Sequence, residues 1–191
     1  MAFGIAILFP GTGYTCKEKL FAECANKYRS FGYRVVELDF SKIPFKEIET
    51  IEEAFERAKR VVLEQLSGIQ FAAYRDVVFL SKSFGTVCAG WLADTLQLLP
   101  RQIYLTPAPQ ALAYVGPGAR VEGMVIGTKD RVMDSKALQA FCRELGIPCL
   151  VFARVGHDLK ADGDAERTGE VNRRILELCT VDEGVQSEPP A

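Results

Sequence analysis

Residues 77–90 read VVFLSKSFGTVCAG and join a run typical of a buried strand to a run typical of a helix. In the first half, Val, Phe and Leu follow one another without polar residues between them, as in strands covered on both faces. The second half is rich in small apolar residues, and Ser-Lys-Ser-Phe-Gly stands where the halves meet. A strand that turns directly into a helix is the repeating unit of α/β folds with a parallel sheet.

The same strand pattern recurs along the whole chain. Six short apolar runs are predicted strands: 5–9, 34–40, 76–80, 102–106, 122–127 and 148–155. Helical periodicity fills the segments that follow them, with one helix ending near Gly32 and others over 48–66, 86–98, 134–145 and 164–179. This alternation predicts an α/β fold, a three-layer α/β/α sandwich whose mostly parallel sheet has about six strands.

Polar residues are expected to mark several helix ends. Thr15, with Glu18 three residues later, fits a capping box for the first helix. Asp134 fits the N-cap of the fourth helix, and Gly146 is expected to terminate that helix.

Length and charge bound the class of protein. The 191 residues fit a single domain over 1–180, and the polar tail 181–191 is expected to be disordered. A formal net charge of −2 offers no basic surface for nucleic acid, and no apolar run approaches the ~20 residues of a membrane-spanning helix. We therefore expect neither a nucleic-acid nor a membrane partner, while the pattern carries no information on oligomeric state.

The N-terminal run and the cysteines indicate a compartment. MAFGIAILFPG lacks a basic leading segment, so it is interpreted as a first strand and not as a signal peptide. Most of the six cysteines lie inside apolar helix or strand patterns, as buried free thiols do. A reducing, cytoplasmic location is therefore expected.

Metal and nucleotide sites are weakly supported. The chain has one histidine, His157, and no C-x-x-C pair, so no metal site is expected. The turn after the first strand reads PGTGYTCKE, but a P-loop starting at Gly11 would need Gly at Cys16 and Ser or Thr at Glu18. A dinucleotide fingerprint also fails at Cys16. The turn is either a tight glycine turn or a source of backbone N–H groups for an oxyanion, and no cofactor is expected.

Three side chains that follow different predicted strands could form a catalytic site. The turn after the third strand fits a nucleophile elbow, G-x-S-x-G, with Ser83 at its centre, Gly85 behind it and Ser81 in place of the leading Gly. Asp130 follows the fifth strand and His157 the sixth. Because open α/β folds gather their sites where parallel strands end, we expect Ser83, Asp130 and His157 to meet there.

Neighbouring residues have alternative readings. Asp134, the proposed helix cap, is the rival to Asp130 as the catalytic acid. Asp158, next to the histidine, is expected to be a solvated loop residue. Lys82 is expected to be exposed beside the elbow, with a role in attracting anionic substrates left open.

The motifs PGTGYT, SKSFG, IGTKDRV and VGHD resemble the α/β-hydrolase superfamily. They look most like small members without a lid, related to dienelactone hydrolase and the short-chain carboxylesterases. The resemblance runs from Gly11 to the final helix, and Ser81 is its chief departure. It implies a minimal hydrolase core with six strands in place of the usual eight.

The resemblance also implies residue roles. Ser83 would be the nucleophile, His157 the general base and Asp130 the acid that orients the imidazole. The oxyanion hole would use the backbone N–H of Phe84 and of Thr12, with Gly13 as the neighbour of the second donor.

The function implied is that of a serine hydrolase acting on a small-molecule acyl substrate. Lid insertions of the family follow the strand that corresponds to QIYLT, and here that connection is only residues 107–120. A site without a lid should favour small or exposed acyl esters or thioesters. Two other functions remain open: a non-catalytic ligand-binding module on the same fold, and an acyltransferase with the same triad.

Overall fold

The computed structural model of the protein describes residues 3–182. Six strands lie in this range: β1 Gly4–Phe9, β2 Arg34–Glu37, β3 Asp76–Lys82, β4 Arg101–Leu105, β5 Val121–Gly127 and β6 Cys149–Phe152. Five α-helices alternate with them: α1 Lys19–Ser30, α2 Ile51–Leu66, α3 Phe84–Thr95, α4 Ser135–Leu145 and α5 Ala165–Leu176. Two short 3₁₀ segments, Phe71–Ala73 and Pro109–Tyr114, complete the described elements.

All six strands are parallel and form one sheet in the order β2-β1-β3-β4-β5-β6. β1 and β3 are neighbours, paired from Gly4–Asp76 to Phe9–Ser81, although β2 lies between them in the chain. The chain therefore changes its direction of travel across the sheet between β1 and β3. At such a switch point the loops beyond the carboxyl ends diverge and leave a crevice, which here lies between the glycine-rich turn and the serine turn.

Helices cover both faces of the sheet. Ala6 and Leu8 of β1 pack in a cluster with α1 and α5, whereas Ile5 and Ile7 pack in a cluster with α2 and α3. α4 joins the second face, where Leu138 packs near β4 and β5. Because alternate residues of each central strand are buried on opposite faces, these strands are apolar throughout. The predicted three-layer sandwich is confirmed.

The first helix begins differently from its prediction. α1 starts at Lys19, and the side chain of the preceding Glu18 makes no capping bond. The Thr15 hydroxyl accepts a hydrogen bond from the N–H of Lys17 at 3.3 Å, within the turn that precedes the helix. The predicted capping box is wrong because Thr15 closes a separate turn ahead of the first helical residue.

Both ends of α4 follow simple capping chemistry. Asp134 accepts the N–H of Ala137 at the start of α4, and Gly146 at φ 68° ends that helix, both as predicted. α3 begins two residues earlier than predicted, because Ser83 itself occupies its cap position.

The chain beyond α5 returns to the domain. Val181 packs against the cluster formed with α1 and α5, and Asp182 pairs with Arg120 at 2.6 Å. The rest of the predicted tail, 183–191, lies outside the described residues. Within residues 3–182, no helix combines the length and the apolar character needed to cross a membrane.

Candidate active site

The turn between β3 and α3 holds Ser83 in a strained conformation. Its backbone lies at φ 51° and ψ −124°, a region that costs a non-glycine residue about 1–3 kcal/mol. The N–H of Ser83 donates to the Leu105 carbonyl at 3.0 Å, and its own carbonyl accepts the N–H of Thr86 at 2.9 Å and the Thr86 hydroxyl at 2.5 Å. These bonds hold Ser83 at the carboxyl edge of the sheet.

Small residues on both sides make the sharp turn possible. A Cβ added at Gly85 would lie 2.3 Å from the carbonyl oxygens of Phe9 and Pro10, so the end of β1 crosses directly over this glycine. Ser81 is fully buried, and its hydroxyl donates to the Ile103 carbonyl at 3.2 Å. A serine therefore fits in place of the usual leading glycine, with its polar group satisfied.

Ser83, His157 and Asp130 form a continuous hydrogen-bonded chain. The Oγ of Ser83 lies 2.8 Å from Nε2 of His157, and Nδ1 of His157 lies 2.8 Å from Oδ2 of Asp130. An ionised carboxylate can only accept, so Nδ1 carries the proton and Nε2 is left to accept the serine hydroxyl. This tautomer is the one a general base needs.

Hydrogen bonds on both carboxylate oxygens fix the orientation of Asp130. Its side chain is fully buried, and Oδ1 accepts the backbone N–H of Val132 at 2.7 Å and of Met133 at 3.2 Å. Burial raises the pKa of this carboxyl, but the bonds from His157 and the two N–H groups outweigh burial and leave the pKa lowered. The rival acid, Asp134, is engaged in capping α4 and is not bonded to the histidine.

A closed loop after β6 carries His157. Val155 and Ala161 form an isolated antiparallel bridge across the base of this loop. The Val155 carbonyl accepts the N–H of Lys129, and a Cβ at Gly127 would lie only 2.1 Å from the same carbonyl oxygen. The loop thus rests directly on the end of β5, beside Asp130. Asp158 is exposed, as predicted.

The candidate oxyanion donors lie on the other side of the serine. A Cβ at Gly11 would be 3.3 Å from Cβ of Ser83, so the turn after β1 passes beside this serine. Phe84 is the first residue of α3, so its N–H has no carbonyl partner within the helix. This N–H lies at the N-terminus of α3, where the helix dipole is positive. Within residues 3–182 the backbone N–H groups of Phe84 and Thr12 enter no hydrogen bond.

A groove of about 570 Å³ adjoins the same turn. It runs between residues 10–17 and residues 37–47, and reaches the elbow through Gly11 and Thr12 and not through the serine or histidine themselves. Its lining includes Phe40 and Phe45, which pack edge-on against Phe84 with ring centroids 6.3 and 5.4 Å away. The groove places apolar surface next to the candidate oxyanion donors.

Lys82 is buried, which corrects the prediction that it is exposed. Only 1% of it is accessible, and Nζ donates to Oγ1 of Thr106 at 2.8 Å and to the backbone carbonyl of His157 at 2.7 Å. The reason is its position as the last residue of a central strand, beneath the loops that close over the sheet edge. No sequence pattern pointed to Thr106, whereas the continuation of β3 to Lys82 could have indicated burial.

No metal-binding cluster accompanies the site: residues 3–182 contain no group of three or more His, Cys, Asp or Glu side chains placed to hold an ion. All six cysteines are free thiols.

Comparisons with known proteins bear on the fold. No protein-family model matches the chain, and no curated protein matches it in sequence. Solved structures do match. A lid-less α/β serine hydrolase from Xanthomonas campestris has a TM-score of 0.65 and 16% identity, over 93% of this chain and 81% of that one.

Two esterase structures are similar to a comparable degree. Est1E from Butyrivibrio proteoclasticus, solved with ferulic acid bound, has a TM-score of 0.63 and 12% identity, over 91% of this chain and 87% of its own. An esterase from Pyrococcus furiosus has a TM-score of 0.61 and 11% identity, over 93% and 82% of the two chains. Likeness at such identities concerns the fold alone.

Proposed function

Because the chain has the α/β-hydrolase fold, with no lid domain among residues 3–182, we propose that it is a serine hydrolase. It cleaves a small or exposed acyl ester or thioester through an acyl-enzyme. The observation that carries this proposal is the chain of two 2.8 Å contacts from Ser83 through His157 to Asp130. The strained turn beneath Ser83 supports it, because strain of this kind concentrates at functional sites.

In the first step, the Oγ of Ser83 attacks the carbonyl carbon of the substrate while Nε2 of His157 takes the hydroxyl proton. Asp130 stabilises the imidazolium that forms and keeps Nδ1 as the donor. Because the side chain of Asp130 is fully buried, this charge pairing acts in a medium of low polarity, where it is stronger than in water.

Negative charge develops on the carbonyl oxygen as the tetrahedral intermediate forms. The backbone N–H groups of Phe84 and Thr12 are the proposed donors to that oxygen. Phe84 adds the positive end of the α3 dipole. Loss of one such donor typically lowers turnover by about 10²–10³.

The imidazolium then protonates the leaving alcohol or thiol, the bond from the carbonyl carbon to the leaving group breaks, and the acyl group stays on Ser83. Water attacks the acyl-enzyme with His157 again accepting a proton. Collapse of the second intermediate releases the carboxylic acid and returns the proton to Ser83.

The groove beside Thr12 supports a position for the acyl group. It adjoins the turn that carries Thr12, and its lining includes Phe40 and Phe45. An acyl chain lying there would have its carbonyl oxygen beside the proposed donors.

We place the protein in the cytoplasm. Five of its cysteines are buried and Cys149 is half-buried, and all six are free. Thiols of this number persist in reducing compartments, whereas exported proteins generally pair them. Fractionation of cells carrying the tagged chain tests this location.

A fluorophosphonate probe tests the proposed enzyme. We expect a covalent adduct on Ser83, located by peptide mass spectrometry, and none in Ser83→Ala or His157→Ala. Ser81→Ala is the matched control, since it removes a serine hydroxyl two residues away and should leave labelling intact. Folded protein that is not labelled, but binds acyl ligands, would instead be a binding module.

Hydrolysis and acyl transfer are separated by adding an alcohol or amine, in excess over the substrate but far below the concentration of water, to a turnover assay. Under these conditions a hydrolase releases mainly the free acid. If the main product is the acylated alcohol or amine, the protein is an acyltransferase, and this result would contradict the proposed hydrolysis.

A further inference from the structure

We propose that Lys82 is a positioning residue of this site, a buried ammonium that ties the nucleophile's strand to the His157 loop and to the turn after β1. The inference rests on the proposed roles of Ser83 and His157. It concerns a side chain that takes no part in the proton transfers between them.

The contacts of Lys82 join four parts of the chain. From the end of β3, Nζ donates to Oγ1 of Thr106, which follows β4, at 2.8 Å, and to the backbone carbonyl of His157 at 2.7 Å. The third side of the ammonium faces the ring of Tyr14, whose centroid is 4.9 Å away. Tyr14 belongs to the turn that carries Thr12.

Together these contacts suit an ammonium. Nζ makes two hydrogen bonds and lies over an aromatic face, an arrangement that stabilises a cation. Among residues 3–182 no carboxylate pairs directly with Lys82; Asp130 and Asp158 act on it from a distance. A buried lysine without a paired carboxylate is costly to fold, which points to a role other than stability.

Thr106 is strained in presenting its hydroxyl to Lys82. It is fully buried and its φ is 44°, a conformation that is rare for β-branched residues. Its own N–H donates to the Val125 carbonyl at 2.7 Å, which fixes the backbone. Strain of this kind, in the residue that follows the Leu105 carbonyl bonded to the Ser83 N–H, supports a positioning role for the pair.

The hydrogen bond from Lys82 to the His157 carbonyl affects the position of the proposed general base. Lys82 holds the backbone of the residue whose ring must stay 2.8 Å from the serine oxygen. A misplacement of about 1 Å in such a constellation can lower turnover roughly 10²-fold. Through Tyr14, the same ammonium also supports the turn that offers the Thr12 N–H.

The charge of Lys82 is tunable within the working range of an enzyme. Burial lowers its pKa to about 8, and the nearby carboxylates of Asp130 and Asp158 oppose that shift. Burial raises the pKa of Tyr14, so the ring that faces Lys82 stays neutral. Above pH 8 the amine loses one N–H and its charge, and the contact with the His157 carbonyl becomes an ordinary neutral bond.

The test compares Lys82→Met, which keeps an unbranched side chain but is one atom shorter and carries no charge, with Lys59→Met. Lys59 is the matched control, a lysine that also lies over aromatic rings, those of Phe55 and Trp91. We expect Lys82→Met to lower kcat roughly 10- to 10²-fold with KM changed by less than about threefold. We also expect kcat of the unmodified protein to decline near pH 8, where Lys82 loses its proton, and kcat of Lys82→Met to lack that decline.

Hydrogen exchange of the backbone adds a readout that needs no activity. In Lys82→Met, backbone amides of the loop over residues 155–161 should exchange faster than in the unmodified protein. In Lys59→Met, the same amides should exchange at the unmodified rate. Equal loop exchange in the two variants, or an unchanged kcat in Lys82→Met, overturns the inference. Faster loop exchange in a protein whose unmodified form never reacts with fluorophosphonate would support the positioning role and overturn the hydrolase proposal.

Thr106→Val provides the second variant in case Lys82→Met does not fold. It keeps the branched shape of the side chain and leaves Lys82 in place, but it removes one hydrogen-bond acceptor of the Lys82 ammonium. The pKa of Lys82 should therefore fall, and the alkaline decline in kcat should move to lower pH. An alkaline decline at the same pH in Thr106→Val contradicts the proposed contact.

Discussion

At the residue scale, Ser83 combines a reactive group with an unfavourable backbone. Its φ of 51° and ψ of −124° suit glycine better than any L-residue. Contacts with neighbouring strands hold this conformation: the Ser83 N–H donates to the Leu105 carbonyl, and the end of β1 lies over Gly85. The backbone of Ser83 therefore has an unfavourable conformational free energy at the position where we propose that the reaction occurs.

This strain predicts opposite effects on stability and activity. Ser83→Gly should abolish fluorophosphonate labelling and raise the free energy of unfolding by roughly 1 kcal/mol over Ser83→Ala, because relief of about 1–3 kcal/mol of strain exceeds the roughly 0.5–1 kcal/mol entropic cost of glycine. Urea unfolding of the two variants provides the measurement. A Ser83→Gly variant less stable than Ser83→Ala would show that the turn is unstrained.

Residue patterns predicted part of this site from the sequence. Ser83, Asp130 and His157 could be selected because each follows a different apolar strand, and parallel strands end at one edge. Lys82 could not be assigned in the same way. A lysine is ordinarily exposed, and its burial here depends on Thr106 and the His157 loop, which are distant in sequence.

At the element scale, the decisive contacts lie between strand ends and the loops that follow neighbouring strands. The His157 loop rests on the end of β5, where the Val155 carbonyl accepts the Lys129 N–H and approaches Gly127. The sequence predicted the strands and helices well because buried strands are apolar without interruption. It failed at Thr15, whose hydroxyl closes a turn ahead of α1 and does not cap it.

The close approach at Gly127 predicts that Gly127→Ala displaces the His157 loop. A methyl group there would lie 2.1 Å from the Val155 carbonyl oxygen, so that contact must open. The rate of fluorophosphonate labelling should fall at least about tenfold. Gly169→Ala, in helix α5 with nothing within 4 Å of the added methyl group, is the matched control and should react normally. Equal labelling rates in the two variants would contradict this account of the loop.

At the scale of the whole molecule, the sheet order brings the site together. The switch of direction between β1 and β3 sets the glycine-rich turn beside the elbow, with the His157 loop and Asp130 on the other side. The sequence predicted the layers but not the groove beside residues 37–47. Its shape depends on how the irregular segment after β2 packs against Phe84, which no local pattern encodes.

Burial of Lys82 also affects global stability as pH changes. Its pKa is lowered from 10.5 to about 8 in the folded protein, so between these values the unfolded chain binds more protons. The free energy of unfolding should therefore rise with pH from about 8 to 10.5, relative to Lys82→Met, which lacks the group. Urea unfolding at several pH values measures this difference, and other titrating groups cancel because both proteins share them. A difference that does not vary with pH would mean that Lys82 titrates normally.

The central claim, that the hydroxyl of Ser83 reacts with the help of His157, is tested most directly by trapping the acyl-enzyme. The protein is mixed with p-nitrophenyl acetate, quenched in acid, and its peptides are analysed by mass spectrometry. We predict one acetyl group on the peptide that contains Ser83, and none on that peptide in His157→Ala. Acetylation elsewhere only, or to the same extent in both proteins, would contradict the account.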